Sequence, residues 1–559
     1  MRTSAVFWLV LAGYLIFWQP GFFMNDEFGQ GVGLDRLAGG AYAIDGDEVS
    51  PGYRLLEAHV YTHFGIPPPG VERAPVGSDL VNVMALPFHV LLGGLGGLLG
   101  LLSAAGMVAS GALGMALRSI GQPSRVAVTV AAIAWTTSWA RDVPLDPFQE
   151  AAAIQWLHAT IMALGAALLF QLVQARSDTR TAGWTAALFA FGTPMFFWAL
   201  NVKYHGLALA LGTCAIWAYH AGPATRPLRT GLAFGLIGLV LSTHLPTGLM
   251  LLASAGLYAL PAIGRPGAAA RVLAGGAGLM VGLIPEMLFR VVRAKAALRE
   301  RYLRVEPGDG VDAFVGEASR QSDAGYLQWA IWNDPGASVE AFLRNLFWTD
   351  WMIPDTSSAL PFVALLPALA ALPWLWRRSA VPETGRWLLL HAGVMFVLLG
   401  PGVYRNGAGF DLRHAAMLWP FLAIQMTGVW ALLEGSRDRL RQWVTAVPVL
   451  FGAVVLTPLF LWRQWTGSYV FQLGTEFELT EPIRYLGVLL AVVVAFAMWR
   501  ARPAWRARVL AVALTWGFMV QIVLQLGPAR SHSPYAAGPF VFWPMQVLSE
   551  FVDFWTMGY

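Results

Sequence analysis

The chain has 559 residues, 57% of them hydrophobic and only 13% charged, with a formal net charge of +4 and 25 tryptophans. A soluble chain carries about a quarter charged residues. Dispersed apolar runs of about 20 residues point instead to a helical membrane protein with many spans. The bilayer core offers no water to backbone groups, so each run must satisfy its own hydrogen bonds as a helix. The short alternating segments of a transmembrane barrel are missing. Cys214 is the single cysteine, which excludes a disulfide framework and a thiolate metal site. The basic residues are scattered through short loops, a pattern of topology and not a nucleic-acid footprint.

The first apolar run, Ala5 to Phe23, has no small-residue cleavage site at Phe17-Trp18-Gln19-Pro20, so it reads as a retained anchor. Asn25-Asp26-Glu27 follows directly and opens a polar loop over residues 24–79. Within that loop, residues 51–59 and Ser78 to Leu92 are expected as interfacial helices, the second interrupted by Pro87 and His89. Leu98 to Leu117 crosses back. Further runs are Val126 to Ala140, Ala151 to Val173, Ala182 to Leu200, Leu207 to Tyr219, Leu232 to Ser242, Leu245 to Ile263 and Val272 to Val292. A second polar loop covers 293–355, more spans fill 356–526, and a tail covers 527–559.

The expected fold is an all-α integral membrane bundle of about 13–15 spans, with interfacial helices in its outward loops. Residues 1–292 would form the main transmembrane module. With a cytoplasmic N-terminus, the short inner loops hold arginines such as Arg118, Arg125, Arg226, Arg377, Arg437 and Arg500, while most acids fall outside. That is the positive-inside pattern. It predicts a multi-pass protein of the cell membrane with both long loops outward.

Several outward residues are candidates for chemistry, because ionisable groups at a bilayer edge are costly to keep. Asp26 and Glu27 read either as interfacial acids marking the outer side or as reactive carboxylates. Arg141 and Asp142 stand in a loop too short to form a domain, with Asp146-Pro147 placed to start the next helix. Asn201-Val202-Lys203-Tyr204-His205 holds one of two lysines in the chain, and Ser242-Thr243-His244 links the next pair of spans. Each histidine alone could simply be interfacial. Together an acid, a lysine and histidines at one depth suggest a polar cavity.

Arg290, Arg293 and Arg301 fall on one helical face on the outward side, against the charge rule. They suit an anionic head group or phosphate, or else a solvated helix with Glu300 and Glu306 as partners. Arg405, Arg413 and His414 stand at the mouth of a later span, where arginine suits phosphate and Asp411 offers a neutralising partner. No Walker, zincin, nucleophile-elbow or dinucleotide motif appears in a convincing context.

In this order the residues resemble the GT-C class of polytopic glycosyltransferases, which includes protein O-mannosyltransferases and aminoarabinose transferases. The likeness is carried by Asp26-Glu27 after the first span and Asp142 after the third. Phe191-Gly192-Thr193-Pro194 with Tyr204-His205, Thr243-His244-Leu245-Pro246-Thr247-Gly248, and Leu412-Arg413-His414 to Pro420 continue it. His244 stands where the family often has arginine, His414 where it often has tyrosine, and Met417 where it has a proline.

The resemblance implies transfer of a sugar from a polyprenyl-phosphate donor to a glycan, lipid or protein acceptor at the outer face, with inversion. It implies Asp26 as general base, with Glu27 and Asp142 beside it. Arg405, Arg413, His414, Arg293, Arg301, Lys203 and His205 would hold the donor phosphate, and Arg141 and His244 the acceptor or sugar. A divalent cation is optional, with Asp26 and Asp142 as its ligands if one binds. The main alternative is a transporter or flippase of lipid-linked glycan, which would carry charges at mid-span. A non-catalytic scaffold and a glycan polymerase or ligase are further alternatives.

Overall fold

The computed structural model describes most of residues 2–45, 72–73, most of 78–119, nearly all of 148–300, most of 371–399, 416–428 and scattered positions in 489–509. These residues are almost wholly helical. In chain order the helices are α1 (Thr3–Ile16), α2 (Glu27–Ala38), α3 (Asp79–Gly93), α4 (Leu98–Ser119), α5 (Phe148–Gln174), α6 (Thr179–Phe191) and α7 (Met195–Ala199). They continue with α8 (His205–His220), α9 (Pro227–Thr243), α10 (Leu245–Ala259), α11 (Ala268–Glu300), α12 (Pro382–Leu399) and α13 (Leu418–Gln425). A two-residue antiparallel pair, β1 (Ile44–Asp45) with β2 (Glu72–Arg73), ties together two distant parts of the first polar loop.

Helix α5 is the centre of the bundle and packs against α1, α3, α6 and α8. It is apolar almost all round, as a helix surrounded by protein tends to be, with buried Glu150, Gln155 and His158 as its polar exceptions. Its buried alanines Ala151–Ala153, Ala159, Ala163, Ala166 and Ala167 let the neighbouring backbones approach closely. The opposite case is α11. Its span Ala268–Val292 is long and apolar enough to cross a membrane, yet only 11% of it is buried. Gln149–Gln174 and Leu245–Ala262 also meet that length and composition among the described residues.

What α11 does bury is a glycine seam against α9. A Cβ on Gly278 would lie 1.9 Å from the Gly231 carbonyl oxygen, and one on Gly282 would lie 2.1 Å from that of Gly235. Ser242 Oγ donates to the Gly282 carbonyl at 3.1 Å, fixing the register of the pair. Small residues at this spacing are the usual means of close helix contact in lipid.

Four details differ from the sequence expectation. Residues 27–38, expected as loop, form α2. Pro87 lies inside α3 without ending it, and His89 pairs with Glu150 instead of interrupting the helix. The run 182–200 is two helices, α6 and α7. They are separated at Gly192-Thr193, where Thr193 Oγ1 donates to the Phe189 carbonyl and accepts from Met195 N–H. Helix α11 continues past the apolar run to Glu300, so the basic stretch begins on a helix.

At one end of the bundle, Arg176 Nη2 donates to the His220 carbonyl at 2.9 Å and meets Glu383 Oε1 at 3.1 Å. Asp178 caps α6 there, accepting from the N–H groups of Arg180 and Thr181 and from the Thr181 hydroxyl. Those bonds hold its carboxyl below the usual carboxylate range, the Thr181 hydroxyl first among them. The other end gathers the buried polar groups.

Candidate active site

Two polar clamps fix the frame at that second end. Gln30 in α2 accepts from Ser78 N–H at 2.8 Å and donates to the Ser78 carbonyl and to Asn82 Oδ1, docking α2 onto the start of α3. Tyr42 hydroxyl adds a bond to Asp79 Oδ2 at 3.0 Å. Helix α3 is then tied to α5 by His89 Nε2 and Glu150 Oε1 at 2.9 Å, and by Gln149 Nε2 donating to the His89 carbonyl.

Gln155, two turns into α5, joins the exit of the first helix to a later connector. Its Oε1 accepts from Trp18 Nε1 at 2.8 Å, and its Nε2 donates to the carbonyls of Gly21 at 3.1 Å and Leu200 at 2.9 Å. The chain leaving α1 therefore starts toward Asp26-Glu27 beside the Asn201–His205 connector. Glu27 itself is fully buried in the first turn of α2, where the positive end of the helix dipole favours a carboxylate.

The connector is built by its own polar groups. His158 Nδ1 bonds the Asn201 carbonyl at 2.8 Å, and Asn201 Oδ1 accepts from Lys203 N–H at 2.7 Å. His205 opens α8 and stacks on Trp198, with centroids 5.0 Å apart and planes at 18°. Gly206 is required beside it, because a Cβ there would lie 2.4 Å from the Trp198 carbonyl oxygen and 2.6 Å from His158 Nδ1.

The α9–α10 connector meets the same cluster. The His205 and His244 rings stand 4.3 Å apart, Tyr204 lies 5.2 Å from His244, and His244 Nδ1 contacts Thr247 Oγ1 at 2.7 Å. Lys203, His205 and His244 are 3%, 2% and 7% exposed. Ionisable side chains so deeply buried are costly without compensating contacts.

Of the residues singled out in the sequence, Lys203, His205 and His244 thus come together, with Glu27 at the same end of the bundle. Arg293 falls on the α11 extension, one turn beyond Arg290, whose Nε pairs with Glu286 Oε1 at 2.9 Å. Asp26, Arg141, Asp142, Arg301, Arg405, Arg413 and His414 lie outside the described residues. Among the described residues no group of three or more His, Cys, Asp or Glu is placed to hold a metal ion.

Gln155, His158 and Asn201 were not singled out. His158 Nε2 and Asn201 Nδ2 are fully buried with no hydrogen-bond partner among the described residues, an uncommon state for buried polar atoms. A signal was present in the sequence: Gln155 and His158 share one face of an otherwise apolar span, and polar residues there are rarely idle.

No family model matches the chain, and no curated protein matches it. Two solved structures are similar, both of ArnT from Cupriavidus metallidurans. The apo state is 15% identical, with a TM-score of 0.38, over 70% of this chain and 65% of that one. The state bound to undecaprenyl phosphate is 16% identical, with a TM-score of 0.34, over 70% and 66%. The chain therefore spans just under two thirds of the length of these structures.

Proposed function

We propose that the protein is a membrane glycosyltransferase that moves a sugar from a polyprenyl-phosphate donor to an acceptor at the outer face of the membrane. The observation that carries this reading is the Gln155 clamp. It holds the segment leading to Asp26-Glu27 against the connector bearing Lys203 and His205. A base and a set of cations on one side of the bilayer is what the transfer requires.

In the proposed reaction, Asp26 accepts the proton of the acceptor hydroxyl as its oxygen attacks the anomeric carbon. Glu27 and Asp142 orient the acceptor. The bond from that carbon to the phosphate oxygen breaks on the opposite face, so configuration inverts. The polyprenyl phosphate leaves as an anion and needs no proton if cations receive it. Lys203 and His205 supply that role together with Arg293, Arg301, Arg405, Arg413 and His414, while Arg141 and His244 face the sugar or acceptor. A divalent cation on Asp26 and Asp142 would add to the same electrostatic task.

Purified protein in vesicles, given a panel of radiolabelled polyprenyl-phosphate sugars, should release polyprenyl phosphate and form a product of inverted configuration with one of them. Donor crossing the bilayer without any transfer would establish the flippase alternative instead.

A further inference from the structure

A second feature lies away from the polar cluster, at the end of the bundle that carries Arg176, Arg229 and Arg265. Helices α10 and α11 diverge there from the turn at 260–267, leaving a cleft of about 720 Å³ floored by Thr230 and Phe234 of α9. That volume lies in the range of pockets that enclose small ligands. Its walls are almost wholly apolar, from Leu257 and Leu260 on one side and Val272 and Leu279 on the other. The cleft follows α11 from Ala268 to Leu279, about 17 Å at 1.5 Å per residue. One leaflet of hydrocarbon is about 15 Å deep. The slot is therefore as long as a single lipid chain reaching from headgroup level to the midplane.

Its chemistry is graded along that length. Glycines at 256 and 276 line it, and a Cβ on either would meet nothing within 4 Å, so the helix backbones themselves form a smooth wall. At the turn end Arg271 lines the cleft, its Nη2 held by the Ala262 carbonyl at 3.0 Å, with Tyr219 also in the lining and the exposed Arg265 on the turn. Among the described residues no acid lines the cleft. A cation at the headgroup level of an apolar slot one leaflet deep matches a phosphate above a hydrocarbon chain.

We infer that this cleft binds one anionic phospholipid, with a tail between α10 and α11 and its phosphate at Arg271. The site is separate from the proposed sugar-transfer site and does not depend on it.

Native mass spectrometry of the full-length protein, titrated with phosphatidylglycerol or phosphatidylcholine, tests the inference. Wild type should hold one phosphatidylglycerol about fivefold more tightly than phosphatidylcholine, the preference expected of one arginine at the membrane surface. Arg271→Gln should abolish that preference. Gly276→Leu and Gly256→Leu, each placed where an added Cβ meets open space, should remove the bound lipid while leaving the unfolding midpoint no lower than that of wild type. Equal retention of the two lipids by wild type would overturn the inference. So would an undiminished lipid adduct in a correctly folded Gly276→Leu protein, and so would no bound lipid in wild type, as when another segment of the chain fills the slot.

Discussion

Replacing Gln155 by leucine removes three hydrogen bonds at once: the one received from Trp18 and the two given to the carbonyls of Gly21 and Leu200. Leucine has nearly the same volume, so packing loss is minor. Hydrogen bonds measured within membranes average about 0.6 kcal/mol each, because the unfolded chain in lipid also finds partners. Three of them give about 2 kcal/mol. Buried groups left unmatched cost about 1–3 kcal/mol apiece, which sets an upper end near 6 kcal/mol if Trp18 Nε1 and one carbonyl find no substitute. Trp18→Phe removes only one of the three, to which it adds the space left by the smaller ring in a fully buried site. Cys214 provides the assay, being the single cysteine and buried, so a thiol-reactive fluorophore labels it only as the protein unfolds. Gln155→Leu should lower the midpoint and should also depress sugar transfer, since the two halves of the proposed site are no longer held together. A midpoint within about 0.5 kcal/mol of wild type would show that the clamp carries no energy and refute the reasoning.

Other outcomes follow from single sites. Lys203→Met should lower transfer by about 10²-fold if Lys203 has its proposed role as a cation at the leaving phosphate. Gly278→Val drives a side chain into the Gly231 carbonyl and should cost more than 3 kcal/mol, whereas Gly276→Ala meets open space and should gain up to about 1 kcal/mol from helix propensity. Asp178→Ala should cost about 1 kcal/mol at neutral pH by loss of the cap. Because the folded carboxyl is held below its unfolded value, its stabilisation is full above about pH 4 and fades as pH falls through the folded value. Asp178→Asn should therefore keep much of the cap and flatten that acid dependence in a melting series. Arg176→Gln should cost about 1 kcal/mol or less, because its ion pair with Glu383 is about one-third exposed on both sides.

The helices were legible in the sequence wherever an apolar run was long and uniform. Ala151 to Val173 anticipates α5 to within a few residues, and Leu207 to Tyr219 anticipates α8. Hydrophobicity alone could not show that 182–200 is broken, because the break depends on the Thr193 hydroxyl replacing a backbone partner next to a proline. Nor could it show α2, whose sequence is rich in glycine and whose stability comes from docking Gln30 onto Ser78 and Asn82. Lys203, His205 and His244 were legible as a group because each sits in a short connector on the same side, and connector length limits how far such residues stray. Gln155 and His158 escaped notice because their task is to hold backbone carbonyls of residues far away in sequence, a pairing that no local pattern encodes.

The most direct test of the proposed chemistry is the initial rate of sugar transfer from a polyprenyl-phosphate donor by wild type and by Asp26→Asn, at matched folded protein measured by Cys214 protection. A positioned general base contributes about 10²–10⁴-fold. The proposed role predicts a loss of that size with donor binding retained; transfer by Asp26→Asn at the wild-type rate would contradict it.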